Sequence, residues 1–406
     1  LQKVNPDRKI SLTADVSAGN YALDSMWSAY VDGVEQIFTA NSPLISTFDL
    51  AEAVAGANFP LVVAPNSFAA GTSVTFRLTA YYSGNSTRFP SFAETTVLMN
   101  APPSGGFNTV SPSTGTALST WFSVVTAEYG DDVDDYPFSF EYKFQTSTLL
   151  PIMPMQGKTS SNVATSQLPS GLDALAFEVT LITYISDILG AVATEENFVI
   201  VTTDTSVDIT AYVDDSIATA LAAGDSSAIS RTISAAGVTL STANCSAVDV
   251  QYCDNLNRGS CVTTPQTCSE CKDGFTGLVG DWNTPCVNAS TALLQGEIGA
   301  ACATDIDCKL SNCTSSNVCA VPILDCFSDT PEVCSGRGTC QYTDSGGSPY
   351  STVCTALDTG CKAACLCDTD SNGASCTFSD AVANTRDNLR GELCEAILTV
   401  ASLSDV

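Results

Sequence analysis

The chain has 406 residues, with 44 acidic side chains against 15 basic ones, no histidine and a formal net charge of −29. Without histidine, a Ser-His-Asp triad, a Cys-His dyad and any histidine metal site are excluded. The negative charge argues against nucleic-acid binding, because it would repel a phosphate backbone.

Residues 1–201 have the pattern of short β-strands. Residues 10–16 and 74–80 alternate apolar and polar side chains, as half-buried strands do. The Ala-Pro-Pro-Ser-Gly-Gly stretch at 101–106 breaks the pattern and predicts a linker. Four more strands are predicted after it, at 121–126, 138–144, 177–182 and 197–201. We therefore predict a mainly β protein that begins with tandem Ig-like or fibronectin-like β-sandwiches, at 1–101 and 102–201.

Residues 202–244 change to a helical period and predict a helical linker segment. Val213, Ile217 and Leu221 recur every four residues, and Asp225 has the position of a helix N-cap. We expect short helices within 208–238, packed on a neighbouring part of the chain.

A C-terminal helix is predicted at 378–406, where Ser379 is a suitable cap and four apolar residues share one side. Such a stripe either docks locally or is offered to another subunit. The apolar residues are Val382, Leu389, Leu393 and Ile397.

All 19 cysteines lie between Cys245 and Cys394. This density predicts a disulfide scaffold formed in an oxidising compartment, so we expect a secreted protein, extracellular or at the cell surface. No apolar run is long enough to predict a membrane span. Because the chain begins at Leu1 without a methionine or a signal peptide, we expect a processed product or a piece of a longer protein. Four Asn-x-Ser/Thr sequons predict N-glycans, at Asn85, Asn244, Asn288 and Asn312.

Four stretches of the first half carry a family resemblance: AGTSVTFRLTA at 70–80, APPSGG at 101–106, VSPSTGTAL at 110–118 and DYPFSFEY at 135–142. Together they resemble the receptor-for-egg-jelly module of polycystin-type and other cell-surface proteins. The resemblance covers roughly residues 1–244.

One departure from that family concerns a cysteine pair in the second sandwich. Asn108 and Thr126 stand where the family usually has these two cysteines. Both are missing together, so we expect the hydrophobic core alone to hold this sandwich, which is feasible for about 100 residues.

The cysteines fall into groups of six, four and nine, which predict modules at 245–290, 291–322 and 323–377. The first is EGF-like but less typical, and the second resembles no assigned family. The third resembles an EGF-like module through Cys334-Ser-Gly-Arg-Gly-Thr-Cys340 and the spacing Cys365-x-Cys367-x8-Cys376. That resemblance implies the pairs Cys326–Cys340, Cys334–Cys365 and Cys367–Cys376, and leaves Cys354 and Cys361 to pair with each other.

Cys394 is then the odd cysteine, and we hypothesise that it links chains. Zinc at Cys268-x2-Cys271 is the alternative use of a cysteine pair. It is disfavoured because no histidine and no second Cys-x2-Cys follows.

Asp131, Asp132, Asp134 and Asp135 pack four carboxylates into five positions, which suggests Ca²⁺ as a ligand. The alternative is a solvated acidic loop. Residues 368–373 match the start of an EF-hand loop, but Ser379 stands where the closing glutamate belongs, which favours a hairpin turn. The acidic run is therefore a candidate Ca²⁺ site with a solvated loop as its alternative, and we predict no other metal and no other cofactor.

No phosphate loop or nucleophile elbow occurs, and a suitable carboxylate pair carries little weight among 44 acidic residues, so we do not expect an enzyme. The favoured function is a structural subunit of an extracellular assembly, stacked end to end into a matrix or into a filament such as the mastigoneme hairs on flagella. Its partners would be copies of itself or other extracellular proteins. The alternative is a cell-surface recognition ectodomain that binds a glycan or protein ligand.

Overall fold

The computed structural model describes residues 2–17, 22–48, 57–83, 90–203, 208–245, 248–290, 292, 295–330, 332–344 and 346–404. Across these residues the fold is mainly β, with four α-helices. Two β-sandwiches precede a helical pair, disulfide-rich segments and a C-terminal helix, which confirms the predicted fold class.

The first sandwich is built around one large sheet with the strand order β1-β10-β9-β4-β5, in which β6 also pairs with β4. Two small pairs, β2-β8 and β3-β7, accompany it. Within β9, Val74, Phe76 and Leu78 are buried in the core and alternate with Arg77 on the other face, as the sequence pattern predicts. The strands are β1 (Gln2–Val4), β2 (Ile10–Leu12), β3 (Asp15–Val16), β4 (Leu23–Val31), β5 (Val34–Gln36), β6 (Ile45–Phe48), β7 (Ala57–Asn58), β8 (Leu61–Val63), β9 (Ser73–Tyr82) and β10 (Ser91–Met99).

The single strand predicted over residues 10–16 is instead two short strands. Between β2 and β3, the Ala14 carbonyl accepts a hydrogen bond from the Phe59 amide at 2.8 Å. The chain therefore changes partner at this point, from β8 to β7, and the prediction of one continuous strand was wrong.

The second sandwich packs a three-stranded sheet, ordered β11-β13-β16, against a five-stranded sheet, ordered β12-β18-β17-β14-β15. Phe122 from the first of these sheets and Tyr142, Phe144 and Leu181 from the second lie in its core, each at most 1% exposed. The strands are β11 (Phe107–Ser111), β12 (Thr114–Thr116), β13 (Trp121–Ala127), β14 (Ser139–Gln145), β15 (Met153–Thr159), β16 (Val163–Gln167), β17 (Glu178–Ser186) and β18 (Val192–Thr202).

The predicted helical pair is present as α1 (Ile209–Ala223) and α2 (Ser226–Ser241). Asp225 caps α2, because its Oδ1 accepts a hydrogen bond from the Ala228 amide at 2.9 Å. Ala235 of α2 is fully buried in the core of the second sandwich. The pair packs on a neighbouring part of the chain, as expected.

The cysteine-rich segments contain little regular structure: α3 (Val250–Asn255), β19 (Phe275–Thr276), β20 (Val287–Asn288), β21 (Gly338–Asp344) and β22 (Cys361–Cys367). A buried arginine organises the first segment. The Arg258 guanidinium is fully buried and donates hydrogen bonds to the carbonyls of Ser269, Leu278, Gly280 and Thr284, at 2.6–3.1 Å. One side chain thus satisfies four carbonyl groups that belong to irregular loops.

The C-terminal helix α4 (Asp380–Ser404) folds back onto α1 and α2. Leu389 and Leu393 are buried against side chains of that pair: Val213, Ala236 and Leu240. Val382 and Ile397 remain about half exposed, at 45% and 51%. Half of the predicted apolar stripe is therefore docked within the chain.

Candidate functional site

The acidic loop between β13 and β14 lies at the junction of the two sandwiches. Asp131, Asp132 and Asp135 each place a carboxylate oxygen within 4.8 Å of the other two. A short 3-10 helix, Val133–Asp135, ends at Asp135, which is completely buried. Asp134 is exposed and is not part of this group. The structure thus brings together three of the four side chains that the sequence suggested for calcium.

Lys3, from β1 of the first sandwich, reaches into this group of carboxylates. Its Nζ donates to Asp132 Oδ2 at 2.7 Å and to Asp135 Oδ2. Burial alone would lower the pKa of Lys3, but the hydrogen bonds and charges of Asp132 and Asp135 outweigh it and raise the pKa. Lys3 is therefore a positively charged residue of the first sandwich that pairs with two carboxylates of the second.

Asn5, Asn100 and Asp187 form a buried polar network beside this ion pair. Asn100 Nδ2 donates to Asp187 Oδ2 at 2.6 Å and to Asn5 Oδ1 at 2.8 Å. Asn5 Nδ2 donates to the Leu189 carbonyl at 2.9 Å, and Asp187 Oδ1 accepts from the Ala191 amide at 2.9 Å. The two asparagines follow β1 and β10 of the first sandwich, whereas Asp187 follows β17 of the second. The network therefore joins the two sandwiches through side chains.

The junction holds more negative charge than its lysine neutralises. Burial raises the pKa of Asp131, and the charges of Asp135 and Asp187 raise it further against a hydrogen bond from the Asp132 amide. Asp131 Oδ2 and Asp135 Oδ1 are buried and accept no hydrogen bond from any residue that the structure describes. Carboxylate oxygens of this kind are ligands for hard cations.

The stretch suggested as the start of an EF-hand loop is a turn closed by a disulfide. Asn372 and Phe378 exchange backbone hydrogen bonds at 2.7 and 3.1 Å, and Cys367 is bonded to Cys376 around the turn. Gly373 occupies the left-handed region at φ 94°, which a glycine tolerates. These contacts match the hairpin-turn alternative.

Nine disulfides pair eighteen of the nineteen cysteines, all within the described residues. In the third module they join the pairs that the EGF-like resemblance implies: Cys326–Cys340, Cys334–Cys365, Cys367–Cys376 and Cys354–Cys361. Cys268 is bonded to Cys253 and Cys271 to Cys286, so both sulfurs proposed for zinc are already used. The remaining bridges, which sequence reasoning left open, are Cys245–Cys261, Cys302–Cys313 and Cys308–Cys319.

The REJ domain family matches residues 5–235, which is more than half of the chain. The chain belongs to the REJ domain family. The matched range contains Asn5, Asn100 and all the acidic residues of the junction, while Lys3 lies just before it. No curated protein sequence matches the chain.

Several solved structures are similar to parts of the REJ protein at low identity. An ice-binding, Ca²⁺-stabilized adhesin of an Antarctic bacterium is 13% identical with a TM-score of 0.28, over 50% of this chain and 46% of the adhesin. The chain thus spans less than half of that adhesin's length. The amphioxus IgVJ-C2 molecule is 9% identical with a TM-score of 0.20, over 48% of this chain and 98% of its own. The ectodomain of mouse nectin-like molecule 4 is 9% identical with a TM-score of 0.18, over 50% of this chain and 67% of its own.

Asn108 and Thr126, the two positions at which the family resemblance led us to expect cysteines, are directly opposed on β11 and β13. Asn108 Nδ2 donates to Thr183 Oγ1 at 2.8 Å, and the Thr126 hydroxyl shares a hydrogen bond with Tyr142 Oη at 3.1 Å. Both bonds run to the facing five-stranded sheet. Polar contacts between the sheets therefore occupy the place of a bridge between neighbouring strands.

The remaining predicted sites of the REJ protein are a thiol and four sequons. Cys394 is unpaired and exposed on α4. Asn244 and Asn288 are exposed and Asn312 is half-buried, whereas Asn85 lies outside the described residues. Nine disulfides and the family membership indicate an extracellular or cell-surface protein. Every helix among the described residues is too short or too polar to cross a bilayer.

Proposed function

We propose that this REJ protein is a non-enzymatic structural subunit of an extracellular assembly, a filament or matrix in which neighbouring chains are joined through Cys394. The main support for this proposal is that Cys394 is left over when the other cysteines pair. Eighteen cysteines pair within the chain, whereas Cys394 stands exposed on the outer side of α4. In an oxidising compartment, an exposed thiol of this kind is a partner for a second chain.

Apolar side chains on the outer face of the three-stranded sheet support contacts between copies. Phe107, Trp121, Val125 and Val163 are 45%, 58%, 38% and 39% exposed. Val125 and Val163 are direct cross-strand partners. Covering these apolar side chains with a neighbouring surface removes them from water and so stabilises the contact between copies.

Charge sets a condition on such an assembly. Each copy has a formal net charge of −29, so neighbouring copies repel one another unless salt or a cation screens them. We expect the assembly to loosen at low ionic strength. Assembly that is indifferent to ionic strength would count against this picture.

The thiol proposal is tested with Cys394→Ser, and Asn388→Ser is the matched control. Asn388 is exposed on the same helix, and its replacement leaves the thiol in place. We expect the wild-type chain and the control to migrate as covalent dimers on a non-reducing gel, and Cys394→Ser to migrate as a monomer. Negative-stain images should show periodic assemblies only for the variants that form the disulfide bridge. Monomeric wild-type protein with one free thiol per chain would refute the proposal.

A recognition ectodomain is the second candidate function, and a surface hollow favours it. The hollow has a volume of about 450 Å³ and lies between the second sandwich and the helical pair. Trp121, Tyr212, Asp215 and Arg231 lie around it, so two aromatic residues and charged groups of both signs converge there. Glycan-array binding that Trp121→Ala abolishes, by a monodisperse monomer, would favour this alternative over the assembly.

A further inference from the structure

The junction between the two sandwiches contains buried anionic oxygens without a partner. Asp135 is 0% exposed, and its Oδ1 accepts no hydrogen bond among the described residues. Asp131 Oδ2 is in the same condition. A buried charged oxygen without a partner is strongly unfavourable, and native structures place a protein group, an ordered water or an ion beside it.

Lys3 does not fill this need, because it contacts other atoms. Its Nζ binds Oδ2 of Asp132 and Oδ2 of Asp135, and it makes no hydrogen bond to Asp131 Oδ2 or Asp135 Oδ1. Its single positive charge also acts on the Asp131 carboxylate, where the charge of Asp187 adds to the repulsion, so the cluster contains four carboxylates and one lysine. A divalent cation would bring these four carboxylates close to neutrality while the lysine bonds stay in place.

We propose that Ca²⁺ binds at this junction through Asp131, Asp132 and Asp135, using the unpartnered Asp131 Oδ2 and Asp135 Oδ1, and that the ion stiffens the connection between the two sandwiches. The donors are all oxygen atoms, which suits Ca²⁺ and Mg²⁺ better than zinc or copper. Three clustered carboxylates suit Ca²⁺ better than Mg²⁺, because Ca²⁺ accepts several carboxylate ligands in irregular geometry, whereas Mg²⁺ demands a near-ideal octahedron and is usually held by one or two carboxylates.

The stiffening follows from what surrounds the ion. The acidic loop that would bind it also holds Lys3 of the first sandwich, and the Asp135 carbonyl accepts a hydrogen bond from the Ile188 amide at 3.0 Å. Ile188 is next to Asp187, which Asn100 binds from the first sandwich. A bound cation would reduce the repulsion among the carboxylates of this loop. It would thereby stabilise both contacts across the junction, the Lys3 ion pair and the hydrogen bond from Asn100 to Asp187. This inference goes beyond the proposed function, since it holds for an isolated chain.

The test is calorimetric titration of the full chain with CaCl2 at fixed ionic strength, with three variants. Asp135→Asn should abolish binding. Asp132→Asn keeps the size of a side chain that is 70% exposed, so the chain should still fold, and it should weaken binding by about tenfold. Asp134→Asn is the matched control on the same turn and should leave binding unchanged. The wild-type Kd should be of the order of 0.1–1 mM, the range of extracellular calcium modules.

A second readout concerns Lys3. If Ca²⁺ binds as proposed, Lys3→Met removes a competing positive charge, so the variant should bind calcium more tightly than the wild-type chain. Hydrogen exchange in residues 128–137 and 186–191 should slow on adding calcium. The proposal is overturned if the wild-type chain shows no calcium heat up to about 10 mM, or if Asp134→Asn weakens binding as much as Asp132→Asn. It is also overturned if NaCl alone reproduces the slower exchange.

Discussion

The docking of α4 onto the helical pair predicts a large difference between two leucine-to-alanine substitutions on the same helix. Leu393 is 6% exposed and packs with Val213 and Leu240, whereas Leu398 is 70% exposed. Both substitutions replace leucine by the best helix former, so neither should weaken the helix itself. Any difference between Leu393→Ala and Leu398→Ala therefore reports the docking contact.

The expected magnitude follows from the buried carbon atoms. Replacing leucine by alanine removes three carbons, which at about 0.8 kcal/mol each gives a loss of about 2.4 kcal/mol of transfer free energy. The cavity left behind adds to this, and buried leucines lose about 2–5 kcal/mol in total. For Leu398 we expect less than about 0.5 kcal/mol, because its side chain is already in water.

The loss should appear as local opening, because α4 can separate from α1 and α2 without unfolding either sandwich. A loss of 2.4 kcal/mol corresponds to about fiftyfold faster hydrogen exchange, at 1.4 kcal/mol per factor of ten. We therefore expect peptides within 380–398 to lose protection in Leu393→Ala, while peptides of β9 and β17 stay protected. Equal exchange in Leu393→Ala and Leu398→Ala would refute the docked position of α4.

Three further predictions concern buried or capping polar groups. Arg258→Met removes the donor that four carbonyls share, and it should destabilise the first cysteine-rich segment by about 3–5 kcal/mol in chemical denaturation. Thr126→Val should cost about 1–3 kcal/mol, because it leaves Tyr142 Oη buried without its partner, and the added Tyr142→Phe should restore most of the loss. Hydrogen bonds from the Ala303 and Thr304 amides lower the pKa of Asp307. The Asp307 carboxylate therefore contributes fully to folding stability above its ordinary pKa of 3.8, and this contribution is lost as the pH falls below that value. Asp307→Asn should consequently reduce the dependence of the free energy of unfolding on pH in this acidic range.

The elements that the sequence predicted well are those whose signals are local. The N-cap at Asp225 and the alternation around Phe76 depend only on neighbouring residues, and both are present in the structure. The bond between Cys334 and Cys365, which the resemblance to an EGF-like module implied, is also present. In contrast, β4 was not predicted, although it is a central strand of the first sheet. On its core face Ser25 is buried, while Met26 and Tyr30 lie on the other face, so residues 23–31 lack a clear apolar and polar alternation in the sequence.

Only part of the junction could be predicted, for a related reason. The run of aspartates at 131–135 is visible in the sequence, but Lys3 lies 129 residues from Asp132, and Asn5 lies 95 residues from Asn100. The first of these separations closes only when the two sandwiches meet, and the second closes within the first sandwich, where β1 pairs with β10. No local rule places a lysine near the N-terminal end of the chain beside an acidic loop of the next domain. The sequence therefore predicted the acidic run at 131–135 but not its contact with Lys3, which places the run at the junction.

The position of α4 also changes how an assembly of this REJ protein should be pictured. The sequence suggested modules stacked end to end, but the cysteine-rich segments begin after α2 and the chain then returns with α4 to α1 and α2. They are therefore held at both of their ends by the helical segment. This return places Cys394 on the helical segment, because α4 packs on α1 and α2, and α2 packs in turn on the second sandwich. A bridge through Cys394 would consequently join chains side by side at the helical segment, and the apolar face around Val125 lies on the sandwich next to it. Cross-linking mass spectrometry of the assembled form should find Cys394-to-Cys394 peptides together with contacts between copies of that face, whereas contacts confined to residues 245–379 would indicate a different arrangement.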